Sequence, residues 1–155
     1  MQLRSVDMNE QLAKEIINWR YEPPYDLYNG DGSQEGIQEL LETPYYALVD
    51  IKGGLIGFYC MGASAQVPAG RELGAYPEGY IDVGLGMNPS LTGKGRGRSF
   101  FSYILKNLEL HGKPFRLTVA SFNKRAARLY ETFGFQEACR FYRGPIEYIV
   151  MTKLL

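Results

Sequence analysis

Residues 82–97 read DVGLGMNPSLTGKGRG, and this stretch decides the fold. It predicts a strand that is broken at Asn88-Pro89, followed by a glycine-rich turn that leads directly into a helix with the sequence SFFSYILKNLEL. A glycine-rich turn at a helix start presents unpaired backbone N–H groups and the positive end of the helix dipole. Three cations add charge at the same place: Lys94, Arg96 and Arg98. The stretch therefore predicts an anion site, and a pyrophosphate is the anion that fits it best.

The composition indicates an ordered chain of one domain, residues 1–155, without an extended charged surface. Hydrophobic residues make up 45% and aromatic residues 14%, which is typical of a globular fold with one core. The 17 basic residues balance 17 acidic ones, so we expect neither nucleic acid nor membrane as a partner. The sequence has no apolar run of about 18 residues that could span a bilayer, and we expect no signal peptide.

Cysteine and histidine usage points to the cytoplasm and away from metal chemistry. Cys60 and Cys139 show no disulfide pattern, so we expect reduced thiols and a cytoplasmic protein. His111 is the only histidine, which excludes a site built from several histidines. We therefore expect no metal.

Hydrophobic periodicity predicts a strand meander followed by alternating strands and helices. Strands are predicted over residues 2–6, 45–51, 55–61, 79–87, 115–120, 135–142 and 147–154. Helices are predicted over residues 9–20, 33–41, 93–110 and 123–133, with Asn9 and Ser33 as N-caps. Residues 21–32 and 63–78 are expected to be irregular. This order predicts the α+β class, a three-layer α/β arrangement with a mixed sheet of about six or seven strands and about four helices.

The glycine turn does not match two common phosphate-binding motifs. It lacks the spacing of a P-loop, and it offers G-x-G-x-G in place of the dinucleotide-binding G-x-G-x-x-G. The acidic residue that should follow a second strand is also missing, because Glu109 comes too early and lies on the same predicted helix. Taken alone, the turn leaves a structural alternative open, in which its glycines only relieve steric crowding.

Two segments together resemble the GNAT N-acetyltransferases. The turn Thr92-Gly93-Lys94-Gly95-Arg96-Gly97, here called the phosphate turn, matches the glycines of the family's Q/R-x-x-G-x-G/A, and Met87-Asn88-Pro89 resembles the V-x-P before it. Residues 123–135, NKRAARLYETFGF, are similar to N-x-x-A-x-x-L-Y-E-x-x-G-F at every specified position. The order of strands and helices agrees over essentially the whole chain. One departure is Thr92, which stands where the family usually has Gln or Arg.

The resemblance implies an acyl-CoA N-acyltransferase fold with a centrally splayed sheet, and acetyl-CoA as the co-substrate. Backbone N–H groups of the phosphate turn would hold the pyrophosphate, while backbone groups of the preceding strand would bind the pantetheine arm. The implied cofactor-binding residues are Leu85, Met87, Thr92, Gly93, Lys94, Gly95, Arg96, Gly97, Arg98 and Asn123.

The same resemblance implies direct transfer of the acetyl group to a primary amine in a ternary complex. Tyr130 would donate the proton to the departing thiolate; its alternative role is that of a core tyrosine on the apolar face of its helix. Asp82 is the candidate general base, because it is the only acid within the fourth predicted strand, and its alternative is an ordinary hydrogen-bonding role. Glu72 and Glu78 are further candidates for the base.

Residues 21–31, YEPPYDLYNGD, here called the acceptor loop, are the candidate acceptor-binding segment, together with residues 63–78. Tyr21, Tyr25 and Tyr28 would form an aromatic wall, and the acids of the loop would attract a cationic amine: Glu22, Asp26 and Asp31. A packed surface loop is the alternative. At the level of function, the alternative is a non-catalytic acyl-CoA-binding sensor on the same fold. Exposed C-terminal strands leave formation of a homodimer open.

Overall fold

The computed structural model describes residues 2–30 and 32–154, which contain seven strands and five α-helices. The strands are β1 (Leu3–Asp7), β2 (Tyr45–Asp50), β3 (Leu55–Met61), β4 (Ile81–Met87), β5 (Phe115–Ala120), β6 (Gln136–Arg143) and β7 (Ile146–Lys153). The helices are α1 (Glu10–Ile17), α2 (Gln34–Glu42), α3 (Pro68–Glu72), α4 (Gly97–Leu108) and α5 (Lys124–Thr132). In these described segments, no helix is long and apolar enough to cross a membrane.

The strands form one mixed sheet in the order β1-β2-β3-β4-β5-β7-β6. The pairs β1–β2, β2–β3, β5–β7 and β6–β7 are antiparallel. The pair β4–β5 is parallel and joins Ile81 to Phe115 and Asp82 to Arg116. The mixed sheet and its seven strands confirm the predicted fold class.

Local capping explains why two helices begin where the sequence predicts. The Asn9 side chain accepts a hydrogen bond from the Leu12 N–H at 2.9 Å, and the Ser33 hydroxyl accepts one from the Gly36 N–H at 3.1 Å. Each cap satisfies a backbone donor that has no partner within the helix. Both predicted N-caps are therefore confirmed.

Three of the differences from the prediction have a local cause. Helix α1 ends at Ile17 because Asn18 folds back, its side-chain amide donating to the Lys14 carbonyl at 2.8 Å. Helix α4 begins at Gly97 and not at residue 93, because Gly93 and Gly95 adopt the positive φ angles of 72° and 75°. The irregular connection predicted for residues 63–78 contains α3, since Pro68 suits a first helical position, where its missing N–H costs nothing.

The chain divides into two compact units. The first comprises the residues up to Cys60 together with Leu85–Lys106, and the second comprises Met61–Gly84 and the residues from Asn107 onward. The core of the first unit is formed by α1, α2, β2 and β3, through Ala13, Ile16, Trp19, Ile37, Leu40, Ala47, Val49 and Leu55. A smaller cluster in the second unit consists of Ala75, Phe141 and Val150.

Two glycines allow α4 to approach the strands of the first unit. A Cβ atom on Gly57 would lie 2.5 Å from both the Gly86 carbonyl oxygen and Cζ of Phe100, and one on Gly86 would collide with the Phe58 ring. Phe100 lies in the first turn of α4 and is 1% exposed. The absence of a side chain at Gly57 therefore allows the N-terminal turn of α4 to pack against β3, and the absence of one at Gly86 leaves room for the Phe58 ring between β3 and β4.

Replacing Gly57 by alanine is expected to lower the free energy of unfolding by about 1–3 kcal/mol, the usual cost of overpacking a core. The clash involves the Gly86 carbonyl oxygen, which moves only with its backbone. Urea denaturation measures the loss. Gly54→Ala is the matched control, because its methyl group would meet only the carboxylate end of the Asp50 side chain. Equal losses in the two variants would contradict this explanation.

Candidate active site

The phosphate turn presents backbone and charge in the way that an anion site requires. Its glycines Gly93 and Gly95 have positive φ, and no atom lies within 4 Å of the position that a Gly95 side chain would take. Helix α4 follows at once and carries no acidic residue in its first turn. Lys94, Arg96 and Arg98 are exposed, so their side chains can reach a bound anion. The first N–H groups of a helix have no intrahelical partner and favour negative charge.

Asn88 anchors the turn to β3. Its backbone N–H donates to the Ile56 carbonyl at 2.8 Å, and its side-chain amide donates to the Leu55 carbonyl at 3.1 Å. Its side-chain oxygen accepts from the backbone N–H and the hydroxyl of Ser90 at 3.0 and 2.9 Å. Sequence reasoning treated Asn88 only as a strand break, although Asn-Pro-Ser is typical of a side-chain-stabilised turn.

The Thr92 hydroxyl is engaged within the turn itself. It donates to the Pro89 carbonyl at 2.9 Å and so closes the short 3₁₀ segment Pro89–Leu91. The Thr92 side chain is short and its hydroxyl proton is already used in this hydrogen bond. It therefore does not supply the long polar side chain of the Gln or Arg that the family usually has there. Any anion binding at this turn must rest on the backbone groups and on the neighbouring cations.

Tyr21 connects the acceptor loop to the end of β4. Its hydroxyl donates to the Met87 carbonyl at 2.6 Å, and its backbone N–H donates to the Asn29 side chain at 2.6 Å. The Tyr28 ring meets the Tyr21 ring edge-on, with the centroids 6.2 Å apart. Burial, and to a smaller extent Tyr28, raises the pKa of Tyr21 to about 12, so the phenol remains neutral at physiological pH. The partner of Tyr21 could not be predicted from the sequence, because 66 residues separate Tyr21 from Met87.

The rest of the acceptor loop lies closer to solvent. A short 3₁₀ helix spans Tyr25–Tyr28, in which Tyr25 is half-buried and Tyr28 is 42% exposed. The acids Glu22 and Asp26 are exposed, whereas Asp31 lies outside the described residues. Of the three predicted tyrosines, Tyr21 is thus the one that the structure places against β4.

Asn123 and Tyr130 lie on α5 in the second unit. The Asn123 side chain accepts a hydrogen bond from the Ala126 N–H at 3.1 Å, so it is the N-cap of this helix. Tyr130 is buried, and its ring centroid lies 6.3 Å from that of Phe135. Asn123 therefore has a structural role that is compatible with a cofactor contact, and Tyr130 is held in a fixed position by packing.

Asp82 forms a buried ion pair with Arg116 in the second unit. The guanidinium donates through Nε to Oδ1 at 2.6 Å and through Nη2 to Oδ2 at 2.8 Å. Gln66 also donates to Oδ2, at 2.8 Å. Both carboxylate oxygens are thus engaged and only 5% of the residue is exposed, which favours the hydrogen-bonding role of Asp82 over the role of general base.

Arg116 organises the segment between β3 and β4. Its guanidinium lies over the rings of Tyr76 and Tyr80, 5.2 and 4.8 Å from their centroids, and donates through Nη1 to the Pro77 carbonyl at 2.6 Å. Arg71 extends the network by donating to Gln66 at 2.8 Å. The other two acids considered as bases, Glu72 and Glu78, are exposed.

Breaking the Asp82–Arg116 pair from either side is expected to be strongly destabilising. Asp82→Asn or Arg116→Met should each lower the free energy of unfolding by about 3–5 kcal/mol, because the remaining buried charge loses its partner. The double variant should lose clearly less than the sum of the two single losses. Urea unfolding of the four proteins forms the double-mutant cycle, and strictly additive losses would contradict the coupling.

A comparison with protein families agrees with the motifs. The model of the acetyltransferase (GNAT) family matches residues 13–135. Since this range is most of the chain, the chain belongs to the GNAT family of acetyltransferases. No curated protein matches the chain by sequence search.

Solved structures confirm the acyl-CoA N-acyltransferase fold. A chimera of the spermidine N-acetyltransferase SpeG from Vibrio cholerae and hSSAT is 21% identical, with 99% of this chain and 96% of that chain covered and a TM-score of 0.69. A candidate phosphinothricin N-acetyltransferase is 16% identical, with 99% of each chain covered and a TM-score of 0.72. A GNAT-family acetyltransferase from Streptococcus pneumoniae is 17% identical, with coverage of 99% and 100% and a TM-score of 0.67. At these identities the likeness concerns the fold alone.

Proposed function

We propose that this protein is an N-acetyltransferase that moves the acetyl group of acetyl-CoA to a primary amine by direct transfer in a ternary complex. The observation that carries the proposal is the phosphate turn, in which two glycines at positive φ precede the acid-free first turn of α4. The family match supports the reaction class, and the N-acetyltransferases with the same fold support an amine acceptor. The acceptor itself and the length of the acyl chain are not part of the proposal.

Coenzyme A fits the donors that the turn offers. Its pyrophosphate would accept hydrogen bonds from backbone N–H groups between Gly93 and Arg98, which favour an anion by about 0.3–1 kcal/mol for each charge at the helix start. The exposed side chains of Lys94 and Arg96 would neutralise the remaining charge. Backbone groups of Leu85 and Met87 would hold the pantetheine arm, as the resemblance to the family implies.

Acetyl transfer requires a neutral amine and a protonated leaving group. The neutral amine nitrogen forms a bond to the thioester carbonyl carbon and gives up one proton, the carbon–sulfur bond breaks, and the departing thiolate takes up one proton, which leaves an amide and a free thiol. Tyr130 is the proposed donor of that proton, because an ordinary phenol is protonated at pH 7. The sensor alternative is not favoured, since Tyr130 is present and the family is one of acetyltransferases.

Removal of the proton from the incoming ammonium is not assigned to Asp82. Both of its carboxylate oxygens already accept hydrogen bonds from Arg116, and only 5% of the residue is exposed to an incoming amine. In the proposal, water accepts this proton. Glu72 and Glu78, the other two acids considered as bases, are exposed to that solvent. Asp82 then stabilises the sheet, because its partner Arg116 lies on the neighbouring strand β5.

Acetyl-CoA and coenzyme A, but not ATP or NAD, are expected to raise the unfolding temperature of the protein, because a ligand that binds only the folded state stabilises it. Gly95→Ala should weaken this shift, since Gly95 has a φ of 75° in the phosphate turn. Thermal unfolding over a ligand titration measures both effects.

The matched control for this variant is Gly53→Ala. Gly53 has a similar φ of 85° and equally open surroundings, but it lies in the turn between β2 and β3. It should lower the unfolding temperature of the free protein and leave the affinity for coenzyme A intact. If coenzyme A gives no shift in the wild-type protein, the proposed function is wrong.

Tyr130→Phe is expected to lower kcat by about 10²–10⁴-fold, the usual contribution of a general acid, with little change in the KM for acetyl-CoA. Release of free thiol during transfer to a panel of primary amines measures the rate. Tyr142→Phe removes a phenol from the exposed surface of the same unit and should leave kcat unchanged. An undiminished kcat in Tyr130→Phe would show that this tyrosine only packs.

A further inference from the structure

The peptide group between Met87 and Asn88 is hydrogen-bonded through both its carbonyl and its N–H group within the first unit. Its carbonyl accepts the Tyr21 hydroxyl at 2.6 Å, and its N–H donates to the Ile56 carbonyl at 2.8 Å. The first bond comes from the acceptor loop and the second comes from the neighbouring strand β3. One peptide group at the end of β4 therefore joins a loop and two strands.

The acceptor loop is closed on Tyr21 by contacts of its own residues. The Tyr21 N–H closes the loop on itself through the Asn29 side chain at 2.6 Å, and the Tyr28 ring packs on Tyr21. Leu27 and Tyr28 are 45% and 42% exposed. Because these contacts join the loop to Tyr21, an interaction that holds Tyr21 in place also restrains the loop.

We propose that Tyr21 is a positioning residue whose hydrogen bond to the Met87 carbonyl ties the acceptor loop to β4, so that acetyl-CoA and the amine bind with positive cooperativity. This inference rests on the proposed function for its cofactor and its acceptor. A cofactor arm bound to the backbone of β4 would reduce the motion of Met87, and the hydrogen bond from Tyr21 would transmit this restraint to the loop. Such a coupling is reciprocal, because each ligand then strengthens the binding of the other by the same factor.

The chemistry of Tyr21 suits this role across physiological pH. Its proton is directed to a carbonyl, and its neutral phenol oxygen retains lone pairs toward which an N–H group of an amine can point. Burial raises the pKa of the phenol, so the hydroxyl keeps its proton, and with it the hydrogen bond to Met87, at physiological pH. Of the charged and titratable groups in the loop, Tyr28 contributes to this rise, while Glu22 and Asp26 are exposed.

The test is Tyr21→Phe, which keeps the ring and removes only the hydroxyl. Hydrogen–deuterium exchange of residues 21–30 is compared in the free protein and with coenzyme A. In the wild type, coenzyme A should slow the exchange of this loop. In the variant, we expect roughly fivefold to tenfold faster exchange in the free protein, corresponding to the loss of one buried hydrogen bond, and little further slowing by coenzyme A.

Steady-state kinetics provide the second readout. With any primary amine that serves as acceptor, Tyr21→Phe should raise the KM for the amine by a similar factor and leave kcat nearly unchanged. Tyr103→Phe is the matched control, because it removes a phenol that accepts a hydrogen bond from the Ser5 N–H at 3.1 Å in the same unit. It should change neither the exchange of the loop nor the KM.

Loop exchange in Tyr21→Phe that equals that of the wild type, with and without coenzyme A, would overturn the inference while leaving the proposed function intact. Failure of coenzyme A to bind the wild type would instead overturn the proposed function, and with it the claim of cooperativity. In that case faster loop exchange in the free Tyr21→Phe protein would still show the tie between Tyr21 and Met87. Thermal unfolding of each variant verifies that it is folded.

Discussion

The contact between Phe100 and the bare backbone of Gly57 is the constraint on which the first unit depends. A helix start can present its N–H groups to a ligand only if the helix itself is held firmly, and in this protein the first turn of α4 is held by a buried ring. That ring fits because Gly57 carries no side chain. The phosphate turn can therefore be exposed and open while the helix behind it is well packed.

The second unit relies on a different kind of interaction. In its segment between β3 and β4, Arg116 contacts two aromatic rings, a backbone carbonyl and the Asp82 carboxylate, in addition to the apolar contacts of Ala75. The planar guanidinium offers several donors in a fixed geometry, which suits it to bind the carboxylate and the carbonyl at the same time. Asp82 thus takes part in a structural ion pair, at a position that the sequence also made the candidate general base.

Local features of the chain were predictable, and long-range partners were not. Asn9 and Ser33 act within three residues of themselves, so the sequence pattern was sufficient to identify both caps. Helix α3 was missed because five residues are too few to establish a helical period. The partners Asp82–Arg116 and Tyr21–Met87 are 34 and 66 residues apart, and only the folded sheet and the loop against it bring each pair together.

Thr92 shows how one family position can change its chemistry without loss of the turn. The Thr92 hydroxyl donates to the Pro89 carbonyl and is directed into the turn. The turn itself therefore offers an anion mostly peptide groups, which do not titrate and do not depend on the identity of the side chains. The surrounding cations are exposed, so salt at physiological ionic strength, where the Debye length is about 8 Å, screens their share of the attraction. Ligand capture at this turn would accordingly weaken in concentrated salt, whereas the shape that recognises the ligand, being made of backbone, would remain the same.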